Sequence, residues 1–329
     1  MRENFLTVRI LVTGGAGYIG STLVPRLLSA GHHVRVLDVL THGGGSLLGV
    51  WSHPHFEFLL GDLRDPRAVK KSVAGIDSVV HLAAIVGDPA CARHPDAARA
   101  TNLHASLELL EECKRSFVTR IVFASTCSNY GKMTDANQYV DESSELRPIS
   151  LYAETKVAVE KTILDPSRTG ALCATALRFA TIYGVAPRMR FDLTVNEFTM
   201  EMMTRKRLTV FGEQFWRPYV HVRDAARAIQ IVLEQPADKM RNAVFNVGDT
   251  EENFRKIDLV ELIKPYAEDA VVEYVKKQED PRDYRVSFAK IRTALGFELS
   301  RKVKDGVHEV AQLICDKVVQ DFDNPQYRN

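Results

Sequence analysis

Over the first half of the chain, short apolar runs alternate with stretches in which apolar residues recur at helical spacing. The first run covers residues 8–12 and stops at a cluster of glycines, after which Ile19, Leu23 and Leu27 repeat at helical intervals. Further strands are predicted at 33–38, 56–60, 78–84 and 120–125, and helices at 18–30, 66–73 and 95–113. This alternation predicts an α/β fold with a doubly wound parallel sheet, covered by helices on both faces.

The glycine-rich turn after the first predicted strand has the spacing of a phosphate-binding turn. Its glycines fit either Gly15-x-Gly17-x-x-Gly20 or Gly14-x-x-Gly17-x-x-Gly20, and a helix follows. Glycines allow a ligand to approach the backbone closely, and the free N–H groups at the start of a helix attract phosphate. Both patterns therefore place a pyrophosphate against the first turn of the predicted helix.

Two aspartates at the ends of later strands extend this prediction. Asp38 ends the second strand about 20 residues after the glycines, where an acid binds the ribose hydroxyls of a dinucleotide. Because an acid there also repels a ribose 2′-phosphate, Asp38 favours NAD over NADP. Asp62 follows the third strand, where it could receive the adenine amino group. The alternative is that Asp62 caps the helix that begins at Pro66.

Beyond about residue 180 the regular alternation is lost. Helices are predicted near 196–204, 224–234, 256–266 and 303–319, and short strands at 208–211, 219–222 and 243–247. No Pro/Gly-rich linker separates the two halves. We therefore expect residues 1–180 to form an NAD-binding Rossmann domain. Residues 181–329 should form mostly a smaller C-terminal substrate-binding lobe, with some strands and helices that return to the Rossmann domain.

Composition and charge exclude several classes of function. The 43 Lys and Arg residues nearly balance the 42 Asp and Glu residues, so there is no basic excess to bind nucleic acid or an anionic membrane. No apolar run reaches the roughly 18 residues of a membrane helix, and the first four residues are too few and too polar to begin a secretion signal, so we expect a cytoplasmic protein. The five scattered cysteines form no C-x-x-C pair, and the ten histidines, which we interpret as turn and surface residues, lack metal-ligand spacing. We therefore expect neither a disulfide framework nor a metal site.

The strongest catalytic signal lies in the predicted helix around residues 150–156. Tyr152 and Lys156 are four residues apart and so project from one face of that helix. A Lys ammonium about 4 Å from a phenol, at an effective dielectric constant of about 20, favours the phenolate by roughly 4 kcal/mol. This lowers the pKa of the phenol towards neutrality, so Tyr152 could remove a proton from a sugar hydroxyl. Thr126, at the end of the fifth strand, is a candidate to share that proton.

Taken together, these motifs resemble the extended short-chain dehydrogenase/reductase family, and more narrowly its nucleotide-sugar epimerases and dehydratases. The resemblance runs from the first predicted strand nearly to the end of the chain. The motifs that carry it are Gly14/Gly17/Gly20, Asp38, Gly61-Asp62-Leu63, Leu82-Ala83-Ala84, Asn102, Ser125-Thr126, Tyr130-Gly131, Tyr152-x-x-x-Lys156 and Arg178-Phe179-Ala180-Thr181-Ile182-Tyr183-Gly184. The resemblance implies a tightly held NAD, oxidation of a sugar carbon (most often C4) to a ketone, and a homodimer built by helix packing.

The resemblance also implies roles for individual residues. Tyr152 is the base, Lys156 is its partner and a ligand of the nicotinamide ribose, and Thr126 assists at the reacting hydroxyl. The residues that the resemblance places against NAD are Gly14, Gly17, Tyr18, Ile19, Gly20, Asp38, Asp62, Leu63, Leu82, Ala83, Ala84, Asn102, Ser125, Tyr152, Lys156 and Phe179.

A second set of residues is expected to bind the nucleotide sugar. Val210 and Phe211 resemble the segment that holds the nucleotide base, and Arg217 and Arg282 resemble the arginines that grip the diphosphate. Guanidinium groups suit this role because they pair with phosphate through two parallel hydrogen bonds, although a surface ion pair is the alternative for each. The remaining members of the expected set are Thr126, Thr181, Arg188 and Asn196. Arg188 and its neighbour Arg190 could add phosphate contacts or could be solvated.

The chain departs from the family pattern at several positions. The family's 4,6-dehydratases carry Asp-Glu directly after the Thr, whereas this chain has Cys127 and Ser128, which disfavours dehydration. Cys127 could protonate a carbanion or could be a buried inert thiol. Thr181 stands where galactose-type epimerases have Asn, which argues against the standard UDP-sugar. Segments 86–91 and 187–192 resemble a bacterial branch that modifies activated sugars including GDP-heptoses.

The sequence therefore predicts an NAD-dependent enzyme that oxidises C4 of a nucleoside-diphosphate sugar, with 4-epimerisation through a 4-keto intermediate as the expected outcome. One alternative is a net 4-dehydrogenase or ketoreductase that acts on a substrate resembling a GDP-heptose. A 4,6-dehydratase is less favoured. A non-catalytic NAD-binding scaffold is disfavoured because such a protein has no need of Tyr152, Lys156 and Thr126.

Overall fold

A computed structural model describes residues 7–133, 138–277 and 283–329 of the chain. It contains two compact units that are interleaved along the sequence. The first unit comprises the chain up to Thr126, together with Ser150–Arg178 and Ala226–Val244, and the second comprises Cys127–Ile149, Phe179–Ala225 and Phe245–Asn329. The chain therefore passes from one unit to the other several times rather than at a single boundary.

The strands are β1 (Arg9–Thr13), β2 (His33–Asp38), β3 (Phe56–Leu60), β4 (Ser78–His81), β5 (Arg120–Thr126), β6 (Cys173–Phe179), β7 (Thr181–Tyr183), β8 (Arg207–Phe211), β9 (Trp216–His221), β10 (Ala243–Val247), β11 (Asn253–Arg255) and β12 (Val271–Val275). The helices are α1 (Gly20–Ser29), α2 (Pro66–Val73), α3 (Asp88–Arg93), α4 (Pro95–Ala98), α5 (Ala105–Arg115), α6 (Leu151–Leu164), α7 (Pro166–Thr169), α8 (Thr194–Met200), α9 (Val222–Glu234), α10 (Ala237–Met240), α11 (Lys256–Ile263), α12 (Ala289–Leu295) and α13 (Val303–Cys315). Two π-helical segments, Arg99–His104 and Glu201–Arg205, adjoin α5 and α8.

A seven-stranded sheet with flanking helices, in the order β10-β6-β5-β4-β1-β2-β3, confirms the predicted doubly wound α/β fold. β1 pairs in parallel with both β2 and β4, and β4 pairs in parallel with β5. The carboxyl ends of these four strands therefore lie at one edge of the sheet, where a doubly wound fold binds its ligand. Strand β4 ends at His81 rather than at residue 84.

The core of the first unit forms where helices cover this sheet. One cluster joins strand residues to residues of α2, α5 and α6, and includes Leu11, Val79, Ile121, Val69, Leu109 and Val159. Each fully buried aliphatic side chain of this kind stabilises the fold by about 1.5–3 kcal/mol relative to an exposed one. The apolar periodicity predicted these helices because it marks the face that packs on the sheet.

The helix predicted over 95–113 is present in the structure and runs without a break from Pro95 to Arg115, with a π-helical segment between α4 and α5. His94 has φ −133° and ψ 65°, which is not helical, and Pro95 then opens α4. A proline disfavours helical geometry in the residue before it and is well placed at the first position of a new helix. The π-helical segment Arg99–His104 follows and leads into α5.

The second unit contains two small sheets, in the orders β11-β9-β7 and β12-β8. Its main core cluster includes Tyr183, Val195, Leu208, Val210, Tyr219, Leu259 and Val307. The sequence predicted β8 and β9 but missed β7, β11 and β12. Strands β7 and β11 have three residues each, too few to display an alternating pattern. Within the described ranges, no helix has both the length and the apolar character needed to cross a membrane.

The glycine turn after β1 is packed too closely for side chains. Gly14 has φ +74°, and a Cβ there would lie 2.8 Å from the Ala83 backbone nitrogen, just beyond β4. A Cβ on Gly20 would lie 2.5 Å from the Gly14 carbonyl oxygen. The turn therefore needs glycine at both positions to lie against the start of α1 and the end of β4.

We expect Gly14→Ala to lower the free energy of unfolding by about 2–4 kcal/mol, because it adds left-handed backbone strain to a clash with Ala83. Gly45→Ala is the matched control, since a Cβ at Gly45 meets nothing within 4 Å. Urea unfolding of the two variants measures the difference. Equal midpoints would show that the turn accommodates a side chain at Gly14.

Candidate active site

The carboxyl edge of the first unit's sheet has the features of an NAD cradle. Gly14, Gly17 and Gly20 present no side chains, and Tyr18 is buried while Ile19 is half-buried at the start of α1. In the part of the chain that the structure describes, no side chain caps the start of α1. The N–H groups at a helix start attract phosphate. These residues therefore fit the pyrophosphate of NAD.

Asp38 lies against the same turn. Its carboxylate accepts hydrogen bonds from the backbone N–H of Ala16 at 2.9 Å and of Leu40 at 2.8 Å. The carboxylate thus joins the end of β2 to the glycine turn, at the place where the adenosine ribose is expected. The structure brings Asp38 and the glycines together, and the contact of Asp38 with ribose stays a prediction.

Asp62 does not cap the helix that follows it. Asp65 accepts the hydrogen bond from the Arg67 N–H at the start of α2, so the capping alternative for Asp62 is wrong. Asp62 instead pairs with the Arg64 guanidinium at 2.6 Å, which holds the pKa of the Asp62 carboxyl below its usual range. The Leu63 side chain is buried in the core, so little of its surface is left for the expected contact with NAD.

Asn102 supports the segment that follows β4. Its Oδ1 accepts the Ile85 N–H at 2.8 Å and its Nδ2 donates to the Ile85 carbonyl at 2.9 Å. The side chain is buried within the π-helical segment, which turns it towards β4. Asn102 therefore fixes the backbone beside residues 82–84, which are half-buried and remain candidates to contact the cofactor.

Helix α6 carries Tyr152 and Lys156, and its start is well defined. Ser150 caps it by accepting the Ala153 N–H at 3.3 Å and also donates its Oγ hydrogen to Asp88 at 2.7 Å. This places Tyr152 in the first turn, where its side chain is half-buried. Neither the cap nor Asp88 was among the predicted site residues.

Lys156 is held at the end of β5. Its Nζ donates to the Ala124 carbonyl at 2.8 Å, lies 4.7 Å from the centre of the Phe123 ring, and lies 5.9 Å from the centre of the Tyr152 ring. Burial lowers the pKa of the Lys156 ammonium to about 8. Lys156 is therefore still positively charged at neutral pH and close to the ring of Tyr152.

Ser125 and Thr126 are buried at the end of β5, next to Ala124. Ser125 Oγ donates to the Glu160 carboxylate at 2.5 Å, and Arg178 donates to the same carboxylate at 2.6 and 3.0 Å. The sequence analysis missed Glu160, although its position four residues after Lys156 could have revealed it. In the first unit, the hydrogen bonds of Lys156 and Glu160 thus hold α6, which carries Tyr152, against the end of β5, where Ser125 and Thr126 lie, and the catalytic roles of these residues stay predictions.

The interpretation of the histidines as turn and surface residues is wrong for His32, His81 and His221, which are buried. His81 lies at the end of β4, with Nδ1 2.7 Å from Thr13 Oγ1 and Nε2 2.8 Å from Ser106 Oγ. Burial and the charge of Lys156 lower the pKa of His81 to about 3, so its ring is neutral. Hydroxyl partners on neighbouring elements allow such a ring to be buried, and the sequence pattern does not reveal them.

The second unit has its own cavity of about 670 Å³. It is lined by Ser128, Thr181, Thr194, Glu197, Phe198, Glu201, Arg205, Arg207, Leu208, Thr209, Phe211, Arg217, Lys256 and Tyr284. Three of these residues, Thr181, Phe211 and Arg217, were predicted to bind substrate. Arg217 is buried, donates to the Trp216 carbonyl at 2.8 Å and lies 5.4 Å from the centre of the Tyr284 ring.

The other cations of the cavity were missed because their sequence context resembles a solvated surface. Arg205 pairs with Glu201 at 3.0 Å and with Asp323 at 2.5 Å, and Arg207 pairs with Glu273 at 2.8 Å. These arginines are exposed and lie at opposite ends of the turn between α8 and β8. Only the folded chain shows that they border the same cavity as Arg217.

Several predicted substrate residues do not line this cavity among the residues that the structure describes. The Val210 side chain is buried in the core, because successive side chains on β8 point to opposite faces and Phe211 takes the exposed one. Asn196 is buried, accepts the Gly184 N–H and donates to the Arg190 carbonyl. Phe179, which was expected to contact NAD rather than the substrate, is buried at the end of β6. Arg282 lies outside the described residues.

Arg188 and Arg190 are not solvated, so that alternative is wrong for both. Arg188 donates to the Arg328 carbonyl and to Asn329 Oδ1 at 2.9 and 2.7 Å. Arg190 pairs with Asp192 at 2.6 Å, and both arginines are buried. Their guanidinium groups hold the surrounding chain together, and neither arginine lines the cavity that Arg217 borders.

Comparison with known proteins places the chain in a family. The model of the NAD dependent epimerase/dehydratase family matches residues 10–248. A dTDP-glucose 4,6-dehydratase of Streptomyces niveus is 32% identical over 322 residues, which cover 94% of this chain and 93% of that protein.

Solved structures give the same result. The UDP-glucose 4-epimerase of Thermus thermophilus, solved in complex with NAD, matches with a TM-score of 0.81 and 26% identity over 94% of this chain and 99% of its own. The UDP-glucose 4-epimerase of Thermotoga maritima, solved with UDP-glucose, matches with a TM-score of 0.83 and 28% identity over 94% of this chain and 100% of its own. These matches confirm the resemblance, the enzyme class and NAD as cofactor. The chain belongs to the NAD dependent epimerase/dehydratase family, within the extended short-chain dehydrogenase/reductases.

Proposed function

We propose that this protein is a nucleotide-sugar 4-epimerase in which Tyr152 removes the proton of the sugar C4 hydroxyl. The observation that carries the proposal is the arrangement on α6, where a buried Lys156 ammonium lies 5.9 Å from the centre of the Tyr152 ring and is anchored to the Ala124 carbonyl. Thr126 lies two residues after Ala124, at the end of β5. A positive charge at this place stabilises a phenolate, which makes Tyr152 a base near neutral pH.

The residues of the first unit have complementary tasks in this reaction. The glycine turn, Asp38 and residues 82–84 would hold NAD, which when bound accepts hydride from C4 and returns it to the opposite face of the resulting ketone. Tyr152 takes the hydroxyl proton during oxidation and gives it back during reduction. Thr126 supports the same hydroxyl, and the Lys156 charge stabilises the phenolate that is present before the first proton transfer and restored after the second.

The similarity to two UDP-glucose 4-epimerases supports epimerisation, while Cys127 and Ser128 argue against dehydration. Cys127 is buried, and Ser128 Oγ lies 3.3 Å from the Tyr284 hydroxyl. Neither side chain is the strong acid or base that elimination of water requires. Net dehydrogenation or ketoreduction is the second candidate, since it uses the same Tyr152 and Lys156 and differs only in the fate of the hydride.

The cavity of the second unit is suited to a nucleoside diphosphate. Arg205, Arg207, Arg217 and Lys256 supply positive charge for the phosphates, and the half-exposed Phe211 ring offers a surface on which a base can stack. Lys256 Nζ donates to the Phe211 carbonyl at 2.7 Å, which joins the two parts of the cavity. The homodimer implied by the family resemblance stays a prediction.

Glu197 gives this cavity a further recognition group. It lines the cavity on α8, and burial together with the neighbouring Glu201 raises the pKa of its carboxyl above the usual range. A half-buried carboxyl gains most from a ligand that donates a hydrogen bond. We therefore expect Glu197 to bind a hydroxyl or N–H group of the nucleotide sugar.

Tyr152→Phe should lower kcat by about 100-fold or more while NAD still binds, because it removes the base and leaves the cradle intact. Tyr266→Phe is the matched control, since Tyr266 is exposed and its hydroxyl faces His308 at 3.2 Å in the second unit. Steady-state turnover of the identified nucleotide sugar and NAD titration measure the two effects. Full turnover in Tyr152→Phe would exclude Tyr152 as the base.

Nucleoside diphosphates should stabilise the protein if the cavity of the second unit binds them. A thermal-shift screen with UDP, dTDP, GDP and CDP, each at about 100 times its dissociation constant, should add about 2.7 kcal/mol for the preferred nucleotide. Arg217→Met should weaken that binding by about 10- to 100-fold, because it removes a charged hydrogen-bond donor. Arg292→Met, on the exposed face of α12, is the control. Binding that is unaffected by Arg217→Met would place the diphosphate elsewhere.

A further inference from the structure

A third residue shares the face of α6 that carries the base. Tyr152, Lys156 and Glu160 follow one another at intervals of four residues, which places them along one side of the helix. Tyr152 is half-buried in the first turn, whereas Lys156 and Glu160 are buried in the second and third turns. The base therefore lies at the open end of a row whose other members are fixed inside the first unit.

The row is attached to β5 at consecutive residues. Lys156 Nζ donates to the Ala124 carbonyl at 2.8 Å, and Ser125 Oγ donates to Glu160 at 2.5 Å. Thr126, which is expected to hold the reacting hydroxyl, is the next residue of the strand. Two side-chain hydrogen bonds thus set the position of α6 along β5, directly beside the groups that the reaction uses.

Arg178 on β6 completes this connection. Its Nε and Nη2 donate to the Glu160 carboxylate at 3.0 and 2.6 Å, and the exposed fractions of the two side chains are 4% and 1%. A buried carboxylate needs such a partner because burial without one is strongly unfavourable. Arg178 therefore supplies the partner of the carboxylate that accepts from Ser125, and it joins β5, β6 and α6 through that one group.

We propose that Glu160 and Ser125 are positioning residues that set the catalytic face of α6 against the end of β5, so that the Lys156 ammonium stays close to the Tyr152 phenol. The proposal rests on the proposed function of Tyr152 as the base. Neither residue needs to touch substrate or cofactor for this role. A buried Arg178–Glu160 ion pair that merely stabilised the fold would not have to accept a hydrogen bond from Ser125, the residue that precedes Thr126.

Three other groups face Lys156 from the elements packed around it. His81 on β4 is neutral, Cys91 on α3 has a pKa raised by burial, and Tyr152 is on α6 itself. Neither His81 nor Cys91 carries a negative charge at neutral pH. The distance between Lys156 and Tyr152 is therefore set by packing and by the hydrogen bonds at β5, so a shift of α6 would change the ionisation of the phenol.

The test is a spectrophotometric titration of tyrosinate. The difference between each protein and its Tyr152→Phe counterpart isolates one phenol among the ten tyrosines of the chain. In the parent protein we expect the Tyr152 midpoint well below the ordinary value of about 10. Ser125→Ala should raise that midpoint by about one pH unit, because α6 loses a hydrogen bond that joins it to β5. Ser125→Thr keeps the hydroxyl and should restore at least half of the difference.

Ser72→Ala is the matched control. Ser72 is a buried serine of the same unit whose Oγ donates to the Val69 carbonyl within α2, so its loss costs a comparable hydrogen bond away from α6. It should leave the Tyr152 midpoint unchanged. If Ser125→Ala does not fold, as judged by circular dichroism, Ser125→Cys replaces it, because a thiol is a weak donor of similar size.

The outcomes separate the two proposals. A low midpoint in the parent that Ser125→Ala leaves in place would overturn the positioning role and spare the assignment of the base. A rise of equal size in Ser72→Ala would also overturn it, since general loosening would then explain the shift. A parent without a low midpoint would contradict the proposed function itself, and the positioning role with it.

Discussion

The chemistry proposed for this protein depends on one buried positive charge. Lys156 is almost fully removed from water, yet its ammonium is held between the Ala124 carbonyl and the face of the Phe123 ring. Burial lowers the pKa of Lys156 to about 8, so the ammonium still carries its charge at neutral pH. The carbonyl and the aromatic ring stabilise that charge away from water. A charge confined in this way acts on the nearby phenol of Tyr152 more strongly than a solvated lysine would.

The parallel sheet is what makes this arrangement possible. Because β2, β1, β4 and β5 are neighbours that run in the same direction, their carboxyl ends bring Asp38, the glycine turn, Ala83 and Thr126 to one edge. Asn102 and Ser150 secure the segments that border this edge through hydrogen bonds to Ile85 and Asp88. In the proposed function, the same strand ends of the first unit hold the cofactor and carry out the proton transfer.

Much of the first unit could be predicted from the sequence, because apolar periodicity marks helices and strands that pack on a large sheet. The glycine spacing and the Tyr152–Lys156 interval also depend on local geometry, which sequence displays directly. Glu160 could have been found by extending that interval by one helical turn. The cavity of the second unit was harder to foresee. Arg205 and Arg207 precede Arg217 by only 12 and 10 residues but have the sequence context of a solvated surface, and Lys256 follows Arg217 by 39 residues. Side chains that are buried against distant partners are also hard to predict. The partners of His81 lie 68 and 25 residues away in the sequence, and those of Arg188 lie about 140 residues away. The prediction that Val210 binds substrate with Phe211 met a different limit, because neighbouring residues of a strand share a sequence motif but point to opposite faces of the sheet.

One measurement tests most directly whether the sugar is oxidised at C4 and reduced again on its other face. Purified protein with NAD is mixed with an excess of its nucleotide sugar while NADH absorbance and the configuration at C4 are followed, the latter by proton NMR. We expect both C4 epimers to reach equilibrium while NADH never exceeds the enzyme concentration. Accumulation of NADH in step with a 4-keto sugar, with no second epimer, would contradict the proposed epimerisation and establish a net dehydrogenase.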